Sequence, residues 1–116
     1  MADLVPSVKG TFDLLSNETV QGHPLLLYNG GTVCDDSFDN NAATAICREM
    51  GYTDALGWTS GSYWSAQDDH EYDISLDEVQ CDSGEWEDCS FQTETDCQHY
   101  EDVFLSCGGV WYFSVS

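Results

Sequence analysis

Residues 31–39 read Gly-Thr-Val-Cys-Asp-Asp-Ser-Phe-Asp, and this stretch, with residues 40–52 that follow it, decides the fold. The pattern is typical of a strand end, then an acidic turn, then a helix. Cys34 and Cys47 lie at either side of the turn, and three carboxylates fall within five positions of each other. The rest of the chain is expected to be organised around this unit.

The helix is predicted at about residues 40–50. Asp39 or Asn40 is a suitable N-cap, because its side-chain oxygen accepts a free backbone N–H of the first turn. Gly51 supplies the left-handed residue that commonly follows a helix. Apolar residues recur at the spacing of one helix face, namely Ala42, Ala43, Ile46, Cys47 and Met50. The sulfur of Cys47 is therefore expected to point into the protein.

Five strands are predicted from apolar runs bounded by turn residues, at residues 11–15, 24–28, 32–34, 74–81 and 103–107. Residues 16–22 are polar and turn-like, and Asn29-Gly30 suits a tight hairpin. Residues 53–73 are rich in Gly, Ser and Asp. We expect them to form a long loop held to the core by Trp58, Tyr63 and Trp64.

The length of 116 residues suits one domain. Residues 1–10 are interpreted as a leader or expression remnant, residues 11–109 as the domain, and residues 110–116 as an apolar, strand-like tail. The tail either joins the sheet or exposes an edge through which homo-oligomers form.

No apolar run approaches the roughly 20 residues of a membrane span, so membrane insertion is not predicted. The first residues do not resemble a signal peptide. We therefore expect a mature or re-engineered chain whose leader is missing.

Six cysteines in a short chain predict the disulfide framework of a secreted protein. They lie at positions 34, 47, 81, 89, 97 and 107, and the close C-x₂-C pair typical of zinc sites does not occur. Spacing alone leaves fifteen pairings open. Asn17-Glu18-Thr19 is an N-glycosylation sequon, which makes Asn17 a candidate glycosylation site and agrees with secretion.

The formal net charge is −20, and the only Lys and Arg residues are Lys9 and Arg48. Nucleic acid is excluded as a partner on this pattern, because phosphate binding needs clustered cationic side chains. Anionic membranes and polyanions are disfavoured for the same reason. The charge favours Ca²⁺, other hard metals or a basic macromolecule. The alternative is a highly soluble surface, or adaptation to a salty medium.

Four stretches resemble, in order, motifs of scavenger receptor cysteine-rich (SRCR) domains. Residues 31–39 resemble G-T-V-C-D-D-x-W-D, and residues 45–52 resemble V-V-C-R-Q-L-G-[CY]. Residues 74–81 resemble I-W-L-D-D-V-x-C, and residues 99–103 resemble H-x-E-D-A/V. Tyr52 replaces a cysteine of the eight-cysteine members, so the chain is similar to the six-cysteine group, also called group A.

This resemblance implies a fold and a disulfide pairing. The fold is a small disulfide-rich α+β domain, in which a curved antiparallel sheet cradles one helix and a long loop is ordered. The implied bridges are Cys34–Cys97, Cys47–Cys107 and Cys81–Cys89.

The resemblance also implies a Ca²⁺ site formed by Asp35, Asp36 and Glu101. A neighbouring second site would add Asp39 and a residue of the loop after Cys81, namely Asp82. Calcium takes about six to eight oxygen ligands, and adjacent carboxylates repel each other until a cation neutralises them. The alternative is that Asp35 and Asp39 cap the turn and the helix, while Glu101 is solvated.

The predicted function is a secreted ligand-binding module that recognises an extracellular ligand through bound Ca²⁺. Family members that bind polyanions carry an Arg-rich patch, which Arg48 alone cannot form. Alternatives are an acidic extracellular protein that self-associates, or a carrier of a small aromatic or coloured ligand or a metal. Enzyme activity is not predicted, because no nucleophile, metalloprotease or phosphate-binding motif accompanies the three histidines, His23, His70 and His99.

Overall fold

The computed structural model describes residues 10–61, 73–93 and 97–110, with only the backbone of Val110. These residues form seven strands, one α-helix and two short 3₁₀ helices. The strands are β1 (Phe12–Val20), β2 (His23–Tyr28), β3 (Gly31–Val33), β4 (Tyr52–Ser60), β5 (Ile74–Gln80), β6 (Ser90–Gln92) and β7 (Val103–Val110). The helix is α1 (Asn40–Glu49), and the 3₁₀ helices are Trp86–Asp88 and His99–Glu101.

Strand β2 lies at the centre of the sheet. It pairs in antiparallel orientation with β1, β3 and β7, and β7 pairs in turn with β4. Strand β5 runs parallel to β3, with Thr32 opposite Ile74, and β6 pairs with β5. The sheet is therefore antiparallel, as expected, except for the one parallel pair of β3 and β5, which makes it mixed. A parallel pair needs a long crossover, and the chain between β3 and β5 provides one that contains α1 and β4.

Two tight turns shape the first half of the sheet. Gln21 and Gly22 have φ values of 55° and 85°, and Asn29 and Gly30 have values of 51° and 87°. Positive φ at both central residues is the requirement of a type I′ hairpin. The hairpin predicted at Asn29-Gly30 is confirmed. The other turn is shorter than predicted, so β1 continues to Val20 instead of ending near residue 15.

Strand β4 occupies the first part of the segment that was predicted to be a long loop. Its residues pair with β7 from Tyr52, opposite Val110, to Ser60, opposite Val103. The prediction failed because strand propensity is weak evidence where cross-strand pairing decides. Trp58 does contact the core: its ring lies 4.7 Å from that of Phe38, and its Nε1 donates to Asn40 Oδ1 at 3.1 Å. Tyr63 and Trp64 lie outside the described residues.

Helix α1 has the predicted bounds and caps. Asp39 Oδ1 accepts from the backbone N–H of Ala42 at 2.9 Å, and Gly51 has a φ of 99°. The buried side chains of the helix pack against apolar residues of the sheet, including Leu26, Val33, Leu76 and Leu105. No described helix is long and apolar enough to cross a membrane.

Three disulfides connect these elements. Cys47 of α1 is bonded to Cys107 of β7, so the helix is crosslinked to the sheet that it covers. The other bridges are Cys34–Cys97 and Cys81–Cys89. These are the same three pairs that the resemblance implies.

Strand β7 continues to Val110, so the predicted boundary between domain and tail at residues 109 and 110 falls within this strand. Residues 1–9 and 111–116 lie outside the described residues, and most of the proposed leader (residues 1–10) and of the proposed tail (residues 110–116) falls there.

Candidate metal centre

Two separate parts of the chain meet just beyond the end of β3. The backbone N–H of Cys34 donates to the carbonyl of Leu76 in β5 at 2.9 Å. The next N–H, that of Asp35, donates to the carbonyl of Glu101 at 2.8 Å. The Cys34–Cys97 disulfide also joins the segment of Cys34 and Asp35 to the segment that contains Glu101. Backbone hydrogen bonds and a covalent crosslink therefore hold the acidic turn beside Glu101.

The carboxylates of Asp35, Asp36 and Glu101 converge at this point, and we refer to these three residues as the acid cluster. One carboxylate oxygen of each, together with Cys34 Sγ, lies within 4.8 Å of the others. All three acidic residues are partly buried. Because Cys34 is in a disulfide, the carboxylate oxygens are the ligands available to a cation. Oxygen ligands of this kind are typical of sites for hard cations such as Ca²⁺.

The position of Glu101 is set by the 3₁₀ helix His99–Glu101. Its Oε1 accepts from the backbone N–H of Gln98 at 3.0 Å, and the Gln98 side chain caps the same turn in return. Asp102 follows, fully buried, with an oxygen 2.9 Å from His99 Nδ1. The reciprocal cap and this buried pair restrict how far Glu101 can turn away from the cluster.

Electrostatics in the acid cluster favour a cation or a proton. The pKa of Asp35 is raised from 3.8 to about 6, chiefly by burial and then by repulsion from Glu101 and Asp36. Both effects penalise the ionised carboxylate. Arg48 is the only Arg or Lys among the described residues, and it contacts Glu85 and the carbonyl of Thr53.

Asp77 is a residue that the sequence analysis did not identify. It is 4% exposed, its Oδ1 accepts from the N–H of Glu78 at 2.7 Å, and it contributes to the raised pKa of Asp35. An oxygen of Asp77 lies within 4.8 Å of one from Asp36 and of the sulfurs of Cys34 and Cys97. The sequence did contain a sign of this buried acid. Residues 77 and 78 are two consecutive acids in a strand that otherwise alternates apolar and polar residues.

The two residues assigned to a second cation site do not join these groups. Asp39 is exposed and caps α1, as the alternative interpretation of the sequence also allowed. Asp82 is exposed and follows β5. Among the residues that the structure describes, the acidic groups close enough to share a cation contain neither of them. A second cation at Asp39 and Asp82 stays a prediction.

Comparison with known proteins identifies the family. The model of the scavenger receptor cysteine-rich domain matches residues 10–108, which is most of the chain. The chain therefore belongs to the SRCR family, as its motifs predicted, and its fold is that of a small disulfide-rich α+β domain with a mixed sheet and one helix.

Sequence relatives include lysyl oxidase homolog 2 from Xenopus tropicalis and from Homo sapiens. They are 39% and 38% identical to this chain over 93 residues, covering 75% of it. The match spans only 12% of the length of each relative. What those whole proteins do is therefore not transferred to this chain.

Similar solved structures agree with the family assignment. The dimeric form of the SRCR domain of mouse MARCO has a TM-score of 0.54 and 28% identity, covering 87% of this chain and 92% of that one. The third SRCR domain of murine neurotrypsin has a TM-score of 0.57 and 27% identity, covering 84% and 96%.

Proposed function

We propose that this SRCR domain is an extracellular recognition module that binds Ca²⁺ through Asp35, Asp36 and Glu101. The bound ion would hold an anionic or carbonyl group of the ligand. Membership of the SRCR family supports the general role, a module for ligand recognition. Three disulfides support an extracellular location, because such bonds persist in oxidising environments.

The observation that carries the proposal is the convergence of three partly buried carboxylates. Carboxylates on a protein surface normally point apart and are solvated separately. Here the backbone pairing of Asp35 with Glu101 and the Cys34–Cys97 bridge hold them together despite their repulsion. Burial and this repulsion together raise the pKa of Asp35, and a divalent cation would offset both by neutralising the carboxylates.

A cation bridge follows from the coordination number of Ca²⁺. Three carboxylates provide about three to six oxygens, whereas calcium takes about six to eight. The remaining positions would be filled by backbone carbonyls, water and a group of the ligand. An oxygen-rich ligand, such as one bearing carboxylate, sulfate or sugar hydroxyl groups, therefore suits the ion better than it suits the bare acidic surface.

Calorimetry with the variant Asp36→Ala tests the assigned site. We expect Ca²⁺ affinity to fall at least about tenfold, because one of three charged ligands is lost. Asp88→Ala is the matched control, since Asp88 is exposed and lies outside the acid cluster and the neighbouring pair Asp36 and Asp77. It removes the same single negative charge and should leave the affinity unchanged. Equal heats from the wild type and Asp36→Ala would remove the assignment.

Self-association is a second candidate function. The similar MARCO domain has been solved in a dimeric form, and the segment after β7 in this chain is apolar. Sedimentation of a chain truncated after Val110 separates the two functions, because it keeps β7 complete and removes the rest of the tail. An oligomer that is lost on truncation supports self-association through the tail. If the chain is a monomer both before and after truncation, self-association through the tail is excluded.

A further inference from the structure

We propose that Asn17 carries an N-linked oligosaccharide and that this glycan covers the border of the sheet at β1. The sequence contains a single sequon, Asn17-Glu18-Thr19. A sequon by itself is weak evidence, since the triplet is common by chance. The fold, however, places this sequon in an exposed and irregular part of β1.

The sequon lies in an irregular part of β1. Leu15 is opposite Leu25, but the next paired residue, Thr19, is opposite Pro24. Three residues of β1, Ser16 to Glu18, are therefore inserted against none of β2, which makes this segment a large bulge. Pro24 has no N–H to donate, so the ladder is also weakened opposite Thr19. Bulges of this kind turn side chains away from the regular face of a sheet.

The side chains of the sequon that glycosylation requires are accessible to solvent. Asn17 and Thr19 are exposed, as is Ser16 beside them. A glycan on Asn17 would project into solvent without displacing core residues, of which Phe12 and Val20 are the nearest buried ones in β1. The folded domain can therefore keep the modification without loss of packing.

The disulfides place the chain in the compartment where this chemistry occurs. Three bridges require an oxidising environment such as the endoplasmic reticulum. There the side-chain amide nitrogen of Asn17 would attack the anomeric carbon of an oligosaccharide linked to a lipid pyrophosphate. A carbon–nitrogen bond forms, the carbon–oxygen bond to the pyrophosphate breaks, and the amide loses one proton. The lipid pyrophosphate is the leaving group.

The position of β1 gives the glycan a consequence. Within the described residues β1 pairs with β2 alone, so the opposite edge of β1 is an edge of the sheet. Unpaired strand edges can pair with other chains, and natural proteins protect them. A hydrophilic oligosaccharide in the middle of β1 would prevent such pairing. Asn17 is not among the residues that could share a cation, so this inference does not depend on Ca²⁺ binding.

The test uses the full chain, secreted from a eukaryotic cell line behind a secretion signal. We expect the intact mass to show one glycan, and peptide N-glycosidase to remove it and leave an aspartate at position 17. Asn17→Gln and Thr19→Ala should both abolish the glycan. Thr19→Ser preserves the sequon, and Asn41→Gln alters an exposed asparagine outside it; both variants should keep the glycan.

A folded, secreted wild-type chain with unmodified Asn17 would overturn the inference. Calorimetry on the same material keeps this result apart from the proposed function. Ca²⁺ affinity should be the same before and after removal of the glycan, whereas Asp36→Ala should lose Ca²⁺ affinity and keep the glycan.

Discussion

Among the described residues, two acidic regions lie beside a disulfide, and one of the two is built like a binding site. The acid cluster of Asp35, Asp36 and Glu101 adjoins the Cys34–Cys97 bridge and is partly buried. The second region, which we name the acidic loop, surrounds the Cys81–Cys89 bridge. Its four acids are all exposed: Asp82, Glu85, Glu87 and Asp88.

The partners of the acids differ in the same way. In the acidic loop, Glu85 lies 3.9 Å from Arg48, and Asp88 accepts from the hydroxyl of Ser83 at 3.0 Å. In the acid cluster the carboxylates face each other, and the pKa of Asp35 is raised. Charges in water are screened, so four exposed acids interact weakly. Convergence and burial, and not the number of acids, therefore produce a candidate cation site.

Removing each of the two disulfides in a separate variant should give the largest effect, which is a difference in the stability that each variant loses. Cys34 and Cys97 are 63 residues apart, and Cys81 and Cys89 are 8 apart. The chain-entropy model gives a loss of about 4 kcal/mol for the long bridge and about 2.5 kcal/mol for the short one. The pairs are replaced as Cys34→Ser with Cys97→Ser, and Cys81→Ser with Cys89→Ser, and thermal unfolding measures stability.

The same two variants test what each bridge does for the cation. Only loss of the Cys34–Cys97 bridge should also weaken Ca²⁺ binding, because this bridge joins the two segments that form the acid cluster. Equal loss of Ca²⁺ affinity in both variants, measured while both remain folded, would show that the bridges act only through global stability.

The pH dependence of Ca²⁺ binding should give the next largest effect. Because the pKa of Asp35 is about 6, protons compete with the cation below that value. The affinity should fall about tenfold for each pH unit below 6, as one proton must leave before the ion binds. Calorimetry between pH 7 and 5 measures this fall, and buffers of different ionisation enthalpy measure the proton released. A flat profile across this range would exclude Asp35 as a ligand.

The substitution Asp35→Asn should give the smallest effect, and it should stabilise the metal-free domain. The folded state raises the pKa of Asp35 from 3.8 to about 6, so it disfavours the ionised form. The contribution of this group to stability is complete below pH 3.8 and is lost as pH rises through 6. At pH 7 the neutral amide removes the cost of burying the charge and the repulsion from Glu101 and Asp36, and we expect Tm to rise by about 2–4 °C.

Asp88→Asn is the control for this measurement, since the same loss of charge in the acidic loop should leave Tm unchanged. Addition of Ca²⁺ should stabilise the wild type more than Asp35→Asn. A lower Tm for metal-free Asp35→Asn would indicate that Asp35 has a structural role that outweighs the repulsion.

Local features of the chain were predictable from the sequence. The bounds of α1 followed from the Asp39 cap, the apolar spacing and Gly51, and the hairpin followed from Asn29-Gly30. Each depends on residues within a few positions of one another, where backbone propensity and capping decide. The family motifs added the disulfide pairing and the meeting of Asp35 and Asp36 with Glu101, which spacing alone left open.

Other features were decided only by the tertiary structure. Strand β4 forms because β7 pairs with it, and β5 lies parallel to β3 because a crossover brings them together. Asp77 is buried beside the Cys34–Cys97 bridge for the same reason. Pairing between distant strands and removal of a side chain from water depend on what the rest of the chain places nearby. The sequence by itself therefore determined the helix, the tight turn and the acidic turn, and the tertiary structure decided which carboxylates converge and which remain solvated.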